Sequence, residues 1–195
     1  MNTGKQTWLA ALALVAAFSS NAFAQEHAHG APDEQLGSVH FMTTCKPSVA
    51  PQFDRAVALL HSFEFGSAIR GFTEVLAADS TCAMAHWGIA LSRWSNPMAA
   101  GVKTGPLLVQ GRQAAQAGER LGAHASERER GYIHAVGQLY DDFEHKDHRT
   151  RVVAYERAMA QVAAAQPADT EAQIFYAIAL VASAPPTDKT YANQL

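Results

Sequence analysis

The chain has 195 residues, 48% of them apolar and 17% charged, which is ample apolar material for a packed core. Its formal net charge is −3 and it has no strongly basic stripe, so the composition disfavours a nucleic-acid-binding protein. No G-x-S-x-G, S-x-x-K, phosphate-loop or dinucleotide-binding motif occurs in the sequence. We therefore expect no enzymatic activity, no catalytic residue and no cofactor.

The first 24 residues have the features of a secretory signal peptide. Lys5 precedes the apolar run 8–18, and the segment AFA at 22–24 is the small-x-small pattern after which signal peptidase cuts. An uncleaved N-terminal anchor is the alternative, but the run is short for a membrane span. We predict cleavage after Ala24 and export to the periplasm or the cell exterior, with no stable membrane span in the mature chain.

Residues 25–44 are predicted to form a flexible N-terminal lead-in that contributes nothing to the core, because the segment QEHAHGAPDEQLGS is polar and contains Gly and Pro. If Gln25 is the mature N-terminus, its free amine and the imidazole of His27 can chelate Cu(II) or Ni(II), with His29 as a further ligand. Cyclisation of Gln25 would block that amine. Periplasmic copper or nickel handling by His27 and His29 is therefore the alternative function that the sequence leaves open.

One helical pattern occurs twice at a fixed spacing. Apolar residues at i, i+3, i+4 and i+7 form one face of a helix. Two such sets lie 34 residues apart: Phe53, Ala56, Val57 and Leu60, followed by Trp87, Ala90, Leu91 and Trp94. A further helical pattern at 67–78 separates them, so the repeating unit is a pair of helices, and its period is that of the tetratricopeptide repeat. Ala56 and Ala68 are small at the place where the two helices of a unit approach closely.

Two cysteines border this repeat. Cys45 precedes the first predicted helix, and Cys82 opens the third. In an oxidising compartment such a pair forms a disulfide, which would tie the lead-in to the first turn between repeats. Two free buried thiols are the alternative, and the spacing matches no zinc-binding pattern.

The remaining elements are also predicted to be helical. The first two helices span 51–64 and 67–78 around a turn at Phe65-Gly66, the third spans 81–94, and a long loop at 96–106 precedes a helix at 107–121. Ser126 and Glu129 form a capping box for the next helix, and a long helix then ends at Gln166-Pro167. A last helix, capped by Thr170 with Gln173, reaches about Ala184.

The last helix repeats the opening pattern of the chain. Its predicted apolar face consists of Ile174, Ala177, Ile178 and Val181. Its expected partner, an eighth helix, only begins at 185–195. Because a helix-pair repeat normally ends in a polar capping helix, we expect the sequence to be a fragment of a longer repeat protein.

Four segments resemble a group of exported bacterial tetratricopeptide-repeat proteins: VHFMTTC at 39–45, FDRAVALLHSFEF at 53–65, CAMAHWGIALSRW at 82–94 and APPTDKTYANQL at 184–195. The resemblance covers nearly the whole mature chain. It implies an all-α domain at 45–195, built as a right-handed α-solenoid of antiparallel helix pairs, with about seven helices and the start of an eighth. It also implies that both cysteines recur and that further repeats follow, but for most members of the group it implies no established activity.

The expected function is that of a scaffold that binds a protein or peptide partner of unknown identity. A helix-pair solenoid presents the first helix of each pair to its ligand. The candidate partner-binding residues on these helices are Phe53, His61, Trp87, Arg93 and Trp94. Packing between repeats is the alternative role for the aromatic members. A second set of acidic and histidine residues at 141–148 resembles metal ligands, although a charged turn between helices has the same composition.

Overall fold

The computed structural model describes residues 36–99, 103–185, 187, 189–190 and 192. Within these ranges all regular secondary structure is helical, with seven α-helices, two short 3-10 helices and no strand, so the predicted all-α class is confirmed. The signal segment 1–24, His27, His29 and most of the expected eighth helix lie outside the described residues.

The seven helices are α1 (Ala50–His61), α2 (Phe65–Ala78), α3 (Ala83–Trp94), α4 (Gly105–Leu121), α5 (Glu127–Gln138), α6 (His148–Ala165) and α7 (Thr170–Ser183). The 3-10 helices are Pro47–Val49 and Gly122–His124. Each α-helix packs against the next one along the chain, and α3 also contacts both α1 and α5. None of the described helices combines the length and the hydropathy that a bilayer-spanning segment requires.

The two apolar sets that are 34 residues apart both lie in the core. All their members are buried except Leu91, which is partly buried. Small residues let α1 and α2 approach closely, since a Cβ placed on Gly71 would lie only 3.0 Å from the Cβ of Ala56. Ala68 is also fully buried. The expected close approach of these two helices is thus observed, with Gly71 as a contributor that the periodic pattern did not identify.

The turn between α1 and α2 differs from the prediction. The helix α2 begins at Phe65, so the predicted turn at Phe65-Gly66 is wrong, and the turn occupies residues 62–64 instead. Phe63 adopts a φ of 61°, and the N–H groups of Phe63 and Glu64 donate to the carbonyls of Leu60 and Leu59. This left-handed residue closes the end of α1 in the way that a glycine commonly does, although here the residue is a phenylalanine.

One of the two predicted N-terminal caps of the later helices is observed. Ser126 accepts a hydrogen bond from the N–H of Glu129 at 3.2 Å, and the Glu129 carboxylate accepts the N–H of Ser126 at 2.8 Å, so the capping box is confirmed. The predicted cap of α7 is wrong. Asp169 rather than Thr170 caps this helix, because the Asp169 carboxylate accepts the N–H of Glu171 at 3.2 Å.

The buried face of α7 is also different from the predicted one. Ala172, Phe175 and Ala179 are buried, whereas Ile174 and Val181 are each 37% exposed. A rotation of about 100° per residue separates neighbouring positions of a helix, so the true face lies one position away from the predicted one. The reason is tertiary, since the ring of Phe175 packs edge-to-face against Trp87 at a centroid distance of 5.3 Å.

Cys45 and Cys82 lie at disulfide-bonding distance, as predicted, with their Sγ atoms 2.02 Å apart and their Cα atoms 4.8 Å apart. The buried side chain of Asp79 stabilises the same junction. Its carboxylate accepts the N–H of Lys46 at 2.8 Å and both the N–H and the hydroxyl of Thr81, at 3.2 and 2.7 Å. The chain entering α1 is therefore fixed to the turn before α3 by one covalent bond and one buried carboxylate.

The expectation of a flexible lead-in at 25–44 is wrong for its described part, residues 36–44. Phe41 is buried, and its N–H donates to the Asp54 carboxylate at 2.9 Å. The N–H of Thr44 donates to Glu129 at 2.7 Å. The segment is polar overall, but one aromatic ring and two acidic acceptors on the helices are enough to order it.

A methyl group added at Gly111 should test how tightly the helices pack. A Cβ there would lie 2.1 Å from the Tyr140 ring, which cannot withdraw because its buried hydroxyl donates to the Ala90 carbonyl at 2.6 Å. We expect Gly111→Ala to lower the unfolding free energy by about 1 to 3 kcal/mol in urea titrations. Gly66→Ala is the matched control, because its nearest neighbour would be Arg70 Nη1 at 3.8 Å, and it should be neutral or stabilising by up to ~1 kcal/mol. Equal effects of the two substitutions would contradict this packing.

The Asp79 carboxyl should make stability depend on acid pH. Hydrogen bonds, above all from the N–H of Lys46, hold its pKa below the ordinary value of 3.8. A depressed folded-state pKa contributes stability that is present above the unfolded-state value and is lost as the pH falls through the lower, folded-state value. We expect Asp79→Asn to lower the unfolding free energy at neutral pH by about 1 to 3 kcal/mol and to flatten its decline below about pH 4. Glu74→Gln, on the exposed side of α2, should change neither quantity; an unchanged acid slope in Asp79→Asn would refute the assignment.

Candidate functional site

An apolar pocket with a cavity volume of about 140 Å³ lies at the ends of α1 and α3, against α6 and α7. We call this cavity the apolar pocket. Its walls include Leu60 and His61 of α1, Leu91 and Trp94 of α3, Val152 and Tyr155 of α6, and Phe175 and Ile178 of α7. Residues from four helices that are distant in sequence thus meet around one cavity.

Exposed apolar side chains stand at the edge of this pocket. Phe63 and Met98 both line it, and they are 50% and 48% exposed. Phe63 and Ser95, another pocket residue, have positive φ angles of 61° and 65°. A residue other than glycine in this region costs of order 1 kcal/mol, and such strain is found often at functional sites. The pocket edge is therefore built partly from strained turns.

His61 is a polar group in the otherwise apolar wall. Its Nε2 lies 2.7 Å from Oε2 of Glu171, and its ring stacks on Phe175 with a centroid distance of 5.0 Å and an interplanar angle of 23°. Both side chains are largely buried. This contact joins α1 to α7 over 110 residues of sequence and positions one wall of the pocket against the other.

Three basic side chains, those of Lys103, His148 and Arg151, surround Trp94, which is one wall of the pocket. The His148 ring stacks on Trp94 with centroids 5.1 Å apart and an interplanar angle of 7°. Nζ of Lys103 and the guanidinium carbon of Arg151 lie 5.6 and 5.4 Å from the Trp94 ring centroid. Burial lowers the pKa of all three groups, and for His148 the charges of Arg151 and Lys103 lower the pKa further.

The structure divides the predicted partner-binding residues. His61 and Trp94 line the apolar pocket. Phe53 and Trp87 do not line the pocket, and Phe41 covers them with its ring, at centroid distances of 5.6 and 5.3 Å. For these two residues the structure shows the alternative role of core packing. Arg93 is partly buried in the last turn of α3, outside the pocket walls.

The acidic residues at 141–148 and His145 are engaged in ion pairs or in a helix cap. The Asp142 carboxylate lies 2.7 Å from Nδ1 of His145, and Glu144 accepts from Arg112 at 2.7 Å. Asp141 pairs with Lys146, and Asp147 caps α6 by accepting the N–H of Thr150 at 2.8 Å. In the described part of the chain no group of three or more His, Cys, Asp or Glu residues is arranged to hold a metal ion.

The sequence prediction missed Phe41, Phe63 and Phe175. Phe41 lies before the first helix, where no periodic pattern could identify it, and Phe63 lies in a turn that the pattern placed elsewhere. Phe175 is next to Ile174, which was assigned to the buried face instead. In each case the position depends on contacts between residues far apart in sequence, which local spacing does not contain.

Comparison of the chain with protein-family models, with curated proteins and with solved structures finds no match. The similarity to exported repeat proteins therefore stays a prediction from the residues. The functional interpretation of this chain depends on the geometry of the apolar pocket and of the charges beside it.

Proposed function

We propose that this chain is an exported, tetratricopeptide-like repeat module that binds a protein or peptide partner through the apolar pocket. The observation that carries the proposal is an open apolar pocket edged by the exposed side chains of Phe63 and Met98. Exposed apolar groups around a concave apolar site are typical of surfaces that bind a partner.

The repeat architecture is supported by the pattern of helix contacts. In stacked helix pairs, the first helices of successive pairs contact one another as well as their own partners. The contacts of α3 with α1 and with α5 follow this pattern, as does the burial of equivalent residues 34 positions apart. The proposed right-handed solenoid accounts for both features.

The size of the pocket favours a side chain over a whole small molecule. Sites for drug-sized ligands usually have volumes of about 300 to 1,000 Å³, and this cavity measures about 140 Å³. One aromatic or branched side chain of a partner would fill a space of this size, while Phe63 and Met98 would cover the backbone beside it. Such a buried anchor residue is the usual centre of a protein interface.

The disulfide supports the exported location. Disulfides persist in the periplasm and outside cells and are rare where thiols are kept reduced, and Cys45 and Cys82 lie at bonding distance. The alternative of copper or nickel handling depends on His27 and His29, which lie outside the described residues, so it stays a prediction. We propose peptide binding because the observations on the described residues concern the apolar pocket.

The pocket can be tested by selecting, from a random display library, peptides that bind the mature chain. We expect the selected peptides to contain an aromatic or branched apolar residue and to lose at least about tenfold in affinity with Phe63→Asp or Met98→Asp, measured by fluorescence anisotropy. Val109→Asp is the matched control, since Val109 is an exposed apolar residue of α4 outside the pocket walls. Peptides that bind all three variants with the affinity of the wild-type chain would rule out the pocket as the binding site.

The strained turn allows a second test that separates binding from stability. Phe63→Gly removes the aromatic ring from the pocket edge but places at φ 61° the residue that best tolerates this conformation. We expect the same loss of peptide affinity as for Phe63→Asp, with an unfolding free energy that is unchanged or up to about 1 kcal/mol higher. A loss of affinity accompanied by lower stability would indicate that Phe63 acts through the fold rather than through contact with the peptide.

A further inference from the structure

Positive charge is concentrated around Trp94 without an acid that forms an ion pair with it. Lys103, His148 and Arg151 all contact the Trp94 ring, at 5.6, 5.1 and 5.4 Å. Among the described residues, no carboxylate oxygen lies within ion-pair distance of any of the three. Trp94 itself is a wall of the apolar pocket, and the three groups contact its ring without being among the residues that line the cavity.

Of the three groups, the charge of Arg151 lowers stability the most. Arg151 is only 4% exposed, and its guanidinium donates to the backbone carbonyls of Leu139 and Lys146 rather than to an acid. A buried cation without a counter-charge lowers stability because the surroundings replace its hydration only in part. The carbonyl dipoles satisfy the hydrogen bonds of Arg151. Burial lowers its pKa even though the charge of Asp147 opposes this effect, so the positive charge is only partly compensated. An anion bound nearby would supply that compensation.

The acid nearest in sequence does not neutralise this group. Asp147 caps α6, and its carboxylate accepts the N–H and the hydroxyl of Thr150 at 2.8 and 3.0 Å. Lys103 donates to the Asn96 carbonyl at 3.1 Å, so it too is held by a neutral acceptor. Lys103 and Arg151 therefore both lie against the Trp94 ring, and the acid beside them, Asp147, is already engaged as the cap of α6.

His148 adds an unused hydrogen-bonding atom to the same place. Its Nδ1 is buried and has no hydrogen-bond partner among the described residues. Buried polar atoms in native structures are almost always satisfied, so an unpaired one calls for a partner. His148 is also the first residue of α6, where the unpaired N–H groups and the helix dipole favour a negative charge.

We propose that the Trp94 end of the pocket binds a carboxylate, so that the partner peptide presents an acidic group beside the apolar side chain that fills the cavity. The proposal rests on the function proposed above and specifies the chemistry of its ligand. Lys103 and Arg151 provide the attracting charge, and Nδ1 of His148 provides a hydrogen bond. A carboxylate is the anion chosen because it is the one that an unmodified peptide carries, in Asp, in Glu or at its C-terminus.

A matched pair of probes tests this without a known partner. 3-Phenylpropanoate and 3-phenylpropanamide have the same apolar body and differ in the charge of the head group. We expect the acid to bind the mature chain at least about tenfold more tightly than the amide, as measured from NMR shifts of the Trp94 and His148 side chains in millimolar titrations. Lys103→Met should reduce this preference to about threefold or less. Arg149→Met, which removes an exposed charge from the same turn of α6, should leave the preference intact.

The titration of His148 gives an independent readout. Burial lowers the His148 pKa, as do the charges of Arg151 from α6 and Lys103 from the loop before α4, while the carboxylate of Asp147 at the α6 cap opposes them. A bound carboxylate should raise the His148 pKa, whereas the bound amide should not. The affinity for the acid should consequently increase as the pH falls through the His148 pKa.

The possible failures can be told apart. Equal affinities for the acid and the amide would overturn the carboxylate site while leaving the apolar pocket as a peptide site. A preference for the acid that survives Lys103→Met, or the absence of binding by both probes, would also overturn it, and the peptide selection described above tests the pocket separately. If the acid is preferred, the affinities of two peptides assign the source of the carboxylate. One peptide has a free C-terminus and Gln, so its carboxylate is terminal, and the other is amidated and contains Glu, so its carboxylate is in a side chain.

Discussion

The ring of Phe41 is the contact on which the arrangement of the first helices depends. It lies between Phe53 of α1, Trp87 of α3 and Tyr132 of α5, with centroid distances of 5.6, 5.3 and 5.2 Å. A segment outside the helices thus supplies the side chain that the three helices share. Aromatic rings in such tilted contacts contribute large buried area and a preferred geometry, so the approach of α1, α3 and α5 is defined by one residue as well as by their direct contacts.

Polar interactions extend this cluster to α7. Arg128 donates to the Met42 carbonyl and to Asp169, and its guanidinium lies 4.5 Å from the Phe41 ring centroid. The Tyr132 hydroxyl donates to the same Asp169 carboxylate at 2.8 Å, and burial together with this carboxylate raises the Tyr132 pKa. Because Asp169 also caps α7, the lead-in, α5 and the last helix form one connected network. Phe175 then reaches Trp87 and His61 from a helix whose start is fixed.

The sequence predicted what depends on local spacing and missed what depends on distant contacts. The 34-residue period located α1 and α3, the Ser126–Glu129 capping box located α5, and the cysteine pair was identified correctly. The docking of Phe41 could not be inferred, because a polar segment shows no period and the acceptors that order it, Asp54 and Glu129, belong to other elements. Likewise, His61 and Trp94 were identified as candidates, but only the fold shows that they face one cavity.

The contrast between Trp87 and Trp94 explains where a ligand can bind. The two residues are seven positions apart on α3 and therefore lie on the same side of the helix, two turns from each other. Trp87 is covered by Phe41 and Phe175, so the chain itself occupies the surface that a peptide would otherwise contact there. Trp94 is also buried, but it lines the apolar pocket and contacts Lys103, His148 and Arg151. The chain thus covers the middle of this surface, and the binding site that we propose lies at its other end, next to this positive charge.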